Sequence, residues 1–358
     1  MRFTLFWLIV FFAMAAANAA DKALHPYTNI QSISYSQPVS INAMISQWSP
    51  PFKGGDKALT YNRAEIGMTR QNWFIGIFER YDFLLTFSDQ TAQLYFRTTN
   101  HLPLETGKQY AVRIEANAQF SRGVRLGFQH QLFPSLKAGA AVSYLQGLAL
   151  TDGRLDGTAQ AIASNDYNFQ FDANYVYSHD ALFSRSVQAP QGNGYSLDIH
   201  LNWQPSTRLA GQLTVADLLG RIYWNKAPYT IATASSATKT YDTDGYVHYN
   251  PVISGLESNK DFVQRLPRKI FAATQYQLTQ KVKLLFELQD LDVARFISAG
   301  MGWRLTGGSH LSGLYNLSAS AFILRYQQQH LLLELGSDSL SRTRAHYLVF
   351  SFSYRQTF

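Results

Sequence analysis

The 358-residue chain contains no cysteine. That excludes disulfides, thiolate metal sites, thiol catalysis and a lipid anchor carried on cysteine. It also suits a chain that crosses an oxidising compartment unfolded. Charged residues are scarce, at 15% of the chain. Beyond the first twenty residues no stretch approaches the ~18 apolar residues of a membrane-spanning helix. The formal net charge of +7 is too small to argue for a nucleic-acid partner. No histidine pair stands at metal spacing with a third ligand. Asp242-Thr243-Asp244-Gly245 resembles the opening of a calcium loop, lacks the later ligands, and reads better as an Asp-Gly turn. No cofactor is expected.

What the chain has in quantity is aromatic: 24 Phe and 21 Tyr, arranged with period two. Between Asp166 and Ser178 the residues Tyr167, Phe169, Phe171, Ala173, Tyr175 and Tyr177 share one face, and Asn168, Gln170, Asp172 and Asn174 the other. Thirteen residues of such alternation exclude a helix and exceed an ordinary soluble strand. The same rhythm marks 109–120, 124–129, 195–203 and 282–289, with further strands near 59–69, 73–86, 137–150, 207–217, 268–278, 295–305, 330–338 and 345–358. Segments 30–48 and 310–326 are weaker, and the second holds either one strand or a tight hairpin.

The two ends complete the pattern. Met1-Arg2 is followed by an apolar run, small residues and Ala17-Asn18-Ala19, which reads as a signal peptide over 1–19. Removing Arg2 lowers the charge from +7 to +6. At the other end Phe350, Phe352, Tyr354 and Phe358 alternate up to the last residue. This ending resembles the C-terminal strand of Gram-negative outer-membrane β-barrel proteins, whose terminal aromatic signature the barrel-assembly machinery reads. The resemblance implies an all-β fold, a single transmembrane antiparallel β-barrel over 20–358. Fourteen strands count best, within a range of 12–16. It also implies the outer membrane as location, with that machinery, outer-membrane lipid and lipopolysaccharide as partners. A homo-oligomer is left open.

Connection lengths set the expected topology, because such barrels have short periplasmic turns and long outer loops. Tight turns are expected at Arg70–Asn72, Ser121–Gly123, Gln204–Ser206 and Thr279–Gln280, and long links at 87–108, 179–193 and 218–267. The last is the best candidate for a functional outer segment, either recognition loop or folded cap. Trp73, Trp203 and Trp303 fall beside the tight turns, and Trp48 and Trp224 beside the opposite edge, as interfacial girdles require.

The polar faces name the pore lining: Arg113, Glu115, Arg125, Asp172, Asn174, Asp198, His200, Lys283 and Glu287. Asp198, His200 and Asn202 share a face and form a tempting acid–base trio, but no nucleophile stands in a recognisable setting, so lumen lining is the better reading and no enzyme is expected. The expected function is a channel for passive diffusion of small hydrophilic solutes. A weak anion preference follows if Arg113 and Arg125 oppose each other across a hairpin. The alternatives are an outer-membrane component of a polysaccharide or protein export or assembly system and, behind it, a lipid-modifying barrel enzyme.

Overall fold

The computed structural model describes residues 24–355 apart from 237–238, 242, 244–246 and 250–251. The signal segment 1–19, the Asp242–Gly245 turn (save Thr243) and Phe358 lie outside the described residues. Nineteen strands follow in chain order: β1 (His25–Ser36), β2 (Lys57–Arg70), β3 (Trp73–Phe87), β4 (Gln109–Phe133), β5 (Leu136–Ala163), β6 (Asp166–Tyr177), β7 (Gln191–Trp203), β8 (Leu209–Ala216), β9 (Arg221–Ser235), β10 (Lys239–Tyr241), β11 (Val247–Tyr249), β12 (Val252–Arg265), β13 (Lys269–Gln277), β14 (Val282–Asp290), β15 (Arg295–Arg304), β16 (His310–Asn316), β17 (Ala321–Gln328), β18 (Leu331–Ser337) and β19 (Tyr347–Arg355). Helices α1 (Ile41–Ile45) and α2 (Asp89–Thr99) lie in the first two long links.

All wall pairings are antiparallel, and β1 closes the ring by pairing with β19, from Tyr27↔Arg355 to Tyr35↔Tyr347. Sixteen strands close the barrel, two more than the fourteen expected. A register shift between Phe120 and Ser121 bends β4 against β5. Below it β5 pairs directly with β7. Above it β5 pairs with β6, β6 with β9, and β9 with β7. The sheet therefore splits at mid-height, as bulged strands allow.

That bulge also corrects an expectation. Ser121-Arg122-Gly123 is not a turn but the middle of a 25-residue strand. Arg113 and Arg125 thus lie on one strand, twelve residues apart, and do not oppose each other. The 218–267 stretch is folded, mostly as β9 and β12. The 310–326 segment is a hairpin, and the first strand stops at Ser36, ahead of Pro38 and α1.

The barrel is lopsided. Strands β13 to β19 are 7–10 residues long, whereas β5 runs for 28. The surplus of β4, β5, β6, β9 and β12 rises beyond the far rim as a lobe. The near rim, where His25 and Arg355 lie, has the tight turns. Trp73, Trp203 and Trp303 sit on it, between 44% and 52% exposed. Above them the outward face is apolar: Ile75, Ile77, Leu126, Val142, Phe286, Ile297, Leu324 and Leu335 are all exposed. An outward apolar belt over a closed ring, with a polar interior, is the construction of a transmembrane β-barrel.

Trp48 and Trp224 do not belong to the girdle, since both are buried. Trp48 packs with Phe87, Ala92 and Phe96 under α1 and α2, forming a collar on the outside of the lobe. Ser88 caps α2, accepting from the Thr91 N–H at 3.0 Å. Trp224 points into the lumen. Gly147 and Gly192 make room for it, because a Cβ on either would fall 2.5 and 2.7 Å from its ring. Phe171, on the aromatic face of β6, meets protein: it stacks on Phe169 at 4.9 Å beside the cluster of Leu94 and Tyr110.

The belt makes a quantitative prediction. Leu126→Arg, in mid-belt, is expected to cost about 2–4 kcal/mol, and His130→Arg, on the same outward face at the near rim, about 0–1 kcal/mol. Denaturant titration of vesicle-inserted protein reads both, and equal costs would contradict the belt.

Candidate functional site: a charge-locked lumen below a vestibule

Strand pleating turns alternate residues inward, so opposite charges two apart land side by side. Arg63 and Glu65 on β2, and Arg80 and Asp82 on β3, are such pairs. Each recruits partners from across the bore.

The first cluster joins β2, β4 and β7. Arg63 donates to Glu65 at 2.8 Å and Arg125 to Asp198 at 2.8 Å. Crossed contacts, Arg125–Glu65 at 3.5 Å and Arg63–Asp198 at 3.8 Å, close the square. The Tyr27 hydroxyl donates to Glu65 at 2.6 Å. His200 Nε2 lies 2.7 Å from Arg125, and its Nδ1 3.1 Å from the Thr214 hydroxyl. Since a guanidinium only donates, His200 Nε2 is the acceptor there.

The second cluster uses the links as well as the strands. Arg80 pairs with Asp82, and it grips Asp217 in the β8–β9 link with two parallel bonds of 2.7 and 2.6 Å. Lys269, at the start of β13, donates to Asp82 and to Asp217, both at 3.0 Å. The Ser196 hydroxyl donates to Asp217 at 2.7 Å, and the Asp217 N–H donates to Asp198 at 3.0 Å, joining the two clusters. All four charged groups are nearly sealed: Arg80 is 3%, Asp82 1%, Asp217 2% and Lys269 1% exposed. Two cations meet two anions in each cluster, so neither leaves a net charge.

A third cluster, across the barrel on β14, β17 and β18, places Arg325 between Glu287 and Glu334. Inward apolar residues fill the space beside it, including Ile33, Leu59, Tyr61, Phe296 and Tyr347, each under 5% exposed. Above this packed interior, on the far side, lies a cavity of about 580 Å3. Its walls are Glu115 and Asn117 of β4, Asp152 and Arg154 of β5, and Asn174 of β6, with Lys260 and Phe262 of β12 opposite. Strand β12, which among the described residues pairs only with β9, enters this space. Its Gln264 accepts from the Trp224 indole at 3.1 Å and donates to the Ala118 carbonyl at 3.0 Å.

The expected lining residues divide accordingly. Arg125, Asp198 and His200 come together in the first cluster, and Glu287 enters the third. Glu115 and Asn174 line the vestibule. Arg113 and Asp172 lie higher, paired with Asp156 and Thr233 at 3.2 and 2.7 Å. Lys283 donates to Gln275 at 3.2 Å. Asn202 stands apart on the exposed near part of β7, so the trio does not assemble; Asp198 and His200 are held by Arg125 instead. Arg63, Glu65, Arg80, Asp82, Asp217, Lys269, Arg325 and Glu334 were not foreseen. The i, i+2 opposite charges of β2 and β3 were the available signal. Among the described residues no group of His, Asp and Glu forms a metal site.

The 178–190 link is clipped down by a further buried acid. Asp180 accepts from the Tyr175 hydroxyl at 2.8 Å, the Phe183 N–H at 3.0 Å and Arg185 at 2.7 Å. Arg185 continues to Thr230 at 2.7 Å. Burial alone would raise the Asp180 carboxyl, but the Phe183 N–H, Tyr175 and Arg185 outweigh it and hold it below the usual carboxylate range.

The fold and site define a class: a transmembrane-type β-barrel with a filled lumen crossed by buried ion-pair clusters. Within it, the chain belongs to the family of unknown function DUF5723, whose model matches residues 59–331. No curated protein matches the sequence. Among solved structures it is similar to the P. putida toluene transporter TodX, at 11% identity over 95% of this chain and 91% of that one, with a TM-score of 0.41. It is also similar to a Pseudomonas aeruginosa FadL homologue, at 9% identity over 94% and 88%, with a TM-score of 0.37. The outer membrane protease OmpT from Escherichia coli follows at 8% identity over 93% and 94%, with a TM-score of 0.25. Superpositions that loose say nothing about substrate or activity.

Two predictions follow from the site's geometry. Arg80→Met strands two buried carboxylates on Lys269 alone and should cost about 3–5 kcal/mol in denaturant titration; a cost under about 1 kcal/mol would mean the cluster is hydrated. The depressed Asp180 carboxyl stabilises the clip above its unfolded pKa of about 3.9 and loses that contribution as pH falls through the lower folded value. Limited proteolysis within 178–190 should therefore rise on acidification in the native chain. Asp180→Asn should be cut at one pH-independent rate, and a native chain equally insensitive to pH would contradict the clip.

Proposed function

We propose that this protein is an outer-membrane channel for small hydrophilic solutes that rests closed and opens by separating the Arg80–Asp217–Lys269 cluster. The apolar belt and the tryptophans of the near rim support insertion in a bilayer. Wall strands of 7–10 residues suit a membrane thinner than average, as the bacterial outer membrane is.

The observation that carries the proposal is the chemistry of the block. A barrel serving only as an anchor gains at least as much from an apolar filling, because desolvating ions offsets most of their attraction. Paired ions differ from an apolar plug in one respect: each half can be hydrated separately once water enters. Two of the four charges, Asp217 and Lys269, sit beside the links that lead into β9 and out of β12. Movement of the β9–β12 hairpin would carry them away from β3 and join the vestibule to the bore. Solute then enters through a polar vestibule large enough for a small sugar or amino acid. The first two lumen clusters are balanced and the third holds one cation between two anions, so nothing in them favours an anion, and the weak anion preference is not carried forward.

Planar-bilayer recording tests this. Native protein should be silent for most of the record. Asp217→Asn with Lys269→Met, which removes one charge of each sign and leaves Arg80 with Asp82, should produce frequent conductance steps. Steady open conductance of the native barrel, or a folded double variant that stays silent, would refute the closed-channel reading.

A further inference from the structure

The 24 acidic residues are distributed unevenly along the barrel axis. Segments 66–78, 121–151, 199–216, 271–286, 296–333 and 346–358 contain no Asp or Glu. Together they hold every tight turn of the near rim. Each also holds a cation at or beside that rim: Arg70, Lys137, Arg208, Lys281, Arg304 and Arg355. Among the described residues these six form no ion pair. The far rim is mixed instead, with Arg97–Glu105, Arg113–Asp156 and Arg295–Asp290 pairs at 3.4, 3.2 and 2.7 Å.

Strand register turns several of the six towards the bore, away from lipid. Lys137 stands opposite Asn202, on the row that continues to His200 and Asp198. Arg304 stands opposite His310, on the inward row of Ser312 and Leu314, both buried. Arg355 stands opposite Tyr27, whose hydroxyl reaches Glu65 inside the lumen. The Arg304 N–H donates to the Lys281 carbonyl at 2.8 Å, so two cations share one corner of the mouth with no carboxylate beside them. Arg70, opposite Trp73, faces the bilayer side instead. Lys283 is a separate case: it precedes Glu287 by four residues on one inward row and offsets the extra carboxylate of the third cluster.

Neighbouring like charges are unfavourable unless something offsets them. A mouth of one sign with low-dielectric walls concentrates the opposite sign. Lipid headgroups reach the outward face and not the inward rows, so they do not supply the counter-charge. A small anion meets one corner only, because Lys137, Arg355 and the Lys281–Arg304 corner lie on separate parts of the ring. An extended segment with several carboxylates spans the mouth and meets them together. We propose that the near mouth docks an acidic segment of a periplasmic partner protein, whose carboxylates accept from Lys137, Lys281, Arg304 and Arg355. The inference rests on the membrane-spanning reading and on the short turns being periplasmic, and it is independent of the gating step.

The test uses the full chain in nanodiscs, whose two faces are both open to solvent. The probe is a fluorescent peptide of alternating Glu and Gly, read by anisotropy beside its Gln-for-Glu counterpart. Native protein should bind the acidic probe and not the neutral one, with an affinity that falls as salt rises. Arg304→Gln with Lys281→Gln should weaken binding roughly tenfold, the factor that about 1.4 kcal/mol supplies. Arg70→Gln should leave it unchanged. A native chain that ignores the acidic probe, or binds the neutral one equally well, would overturn the proposal without recourse to any variant. So would binding that survives the Arg304 and Lys281 substitutions. Displacement by inorganic phosphate as readily as by unlabelled peptide would mean a small-anion site instead. Loss of binding when phosphatidylglycerol replaces zwitterionic lipid in the nanodisc would mean that the cations serve headgroups. Because the chain has no cysteine, Gln280→Cys reports the side of the membrane. An impermeant maleimide should label it only after the outer membrane is opened. Labelling in intact cells would overturn the periplasmic partner together with the topology, while the binding measurements judge the mouth separately.

Discussion

The two parallel bonds from Arg80 to Asp217 are the contact on which the rest of the arrangement depends. Arg80 belongs to a wall strand, and Asp217 to the link through which the chain leaves the wall for the lobe. Their pairing, with Lys269 beside them, fixes where β9 begins and where β12 ends. It therefore positions Trp224, Gln264 and Phe262 within the lumen. Without that anchor the hairpin would be held by its pairing with β6 and β7, by Gln264 on the Ala118 carbonyl and by Arg185 on Thr230.

The energetics are those of a compensated network. Four nearly sealed charged groups in the second cluster would be ruinous singly, and in balance they are close to neutral in stability. What they supply is position: each guanidinium fork accepts one geometry of carboxylate. The apolar packing around Tyr61, Phe296 and Tyr347 provides the cohesion on the other side of the bore. A lumen half filled by ion pairs and half by close-packed aromatics has one side that hydrates readily and one that does not. In the closed-channel proposal the opening path would therefore run along the β3, β7 and β8 side.

Much of the wall was legible in the sequence. Period-two alternation located nearly every strand, because one face meets an apolar surround and the other a polar interior. Tight turns at Arg70–Asn72 and Thr279–Gln280 were visible for the same reason. Ser121-Arg122-Gly123 misled because its composition suits a turn, whereas the glycine there admits the close approach of Phe78 and the strand runs on, the extra residue of the local bulge being Leu148 on β5. The inward slot for Trp224 depends on Gly147 and Gly192, far away in sequence, so its burial could not be read locally. The charge clusters were half legible. Arg63-x-Glu65 and Arg80-x-Asp82 carry a local signal, but Asp217 and Lys269 stand 52 residues apart on links whose meeting is a property of the tertiary fold. Phe171 shares the face that alternation gave it but meets Phe169 and the lobe's own cluster, since alternation separates two faces without saying what covers them.

The measurement that most directly tests the central claim is a double-mutant cycle between Arg80 and Asp217, read by denaturant titration of protein inserted in vesicles. A direct, water-poor pair predicts a coupling energy of about 2 kcal/mol or more, at the upper end of the range for contacting residues. Additive effects, with coupling within about 0.5 kcal/mol of zero, would mean that the two groups are separately hydrated and that the lumen is not locked by their contact.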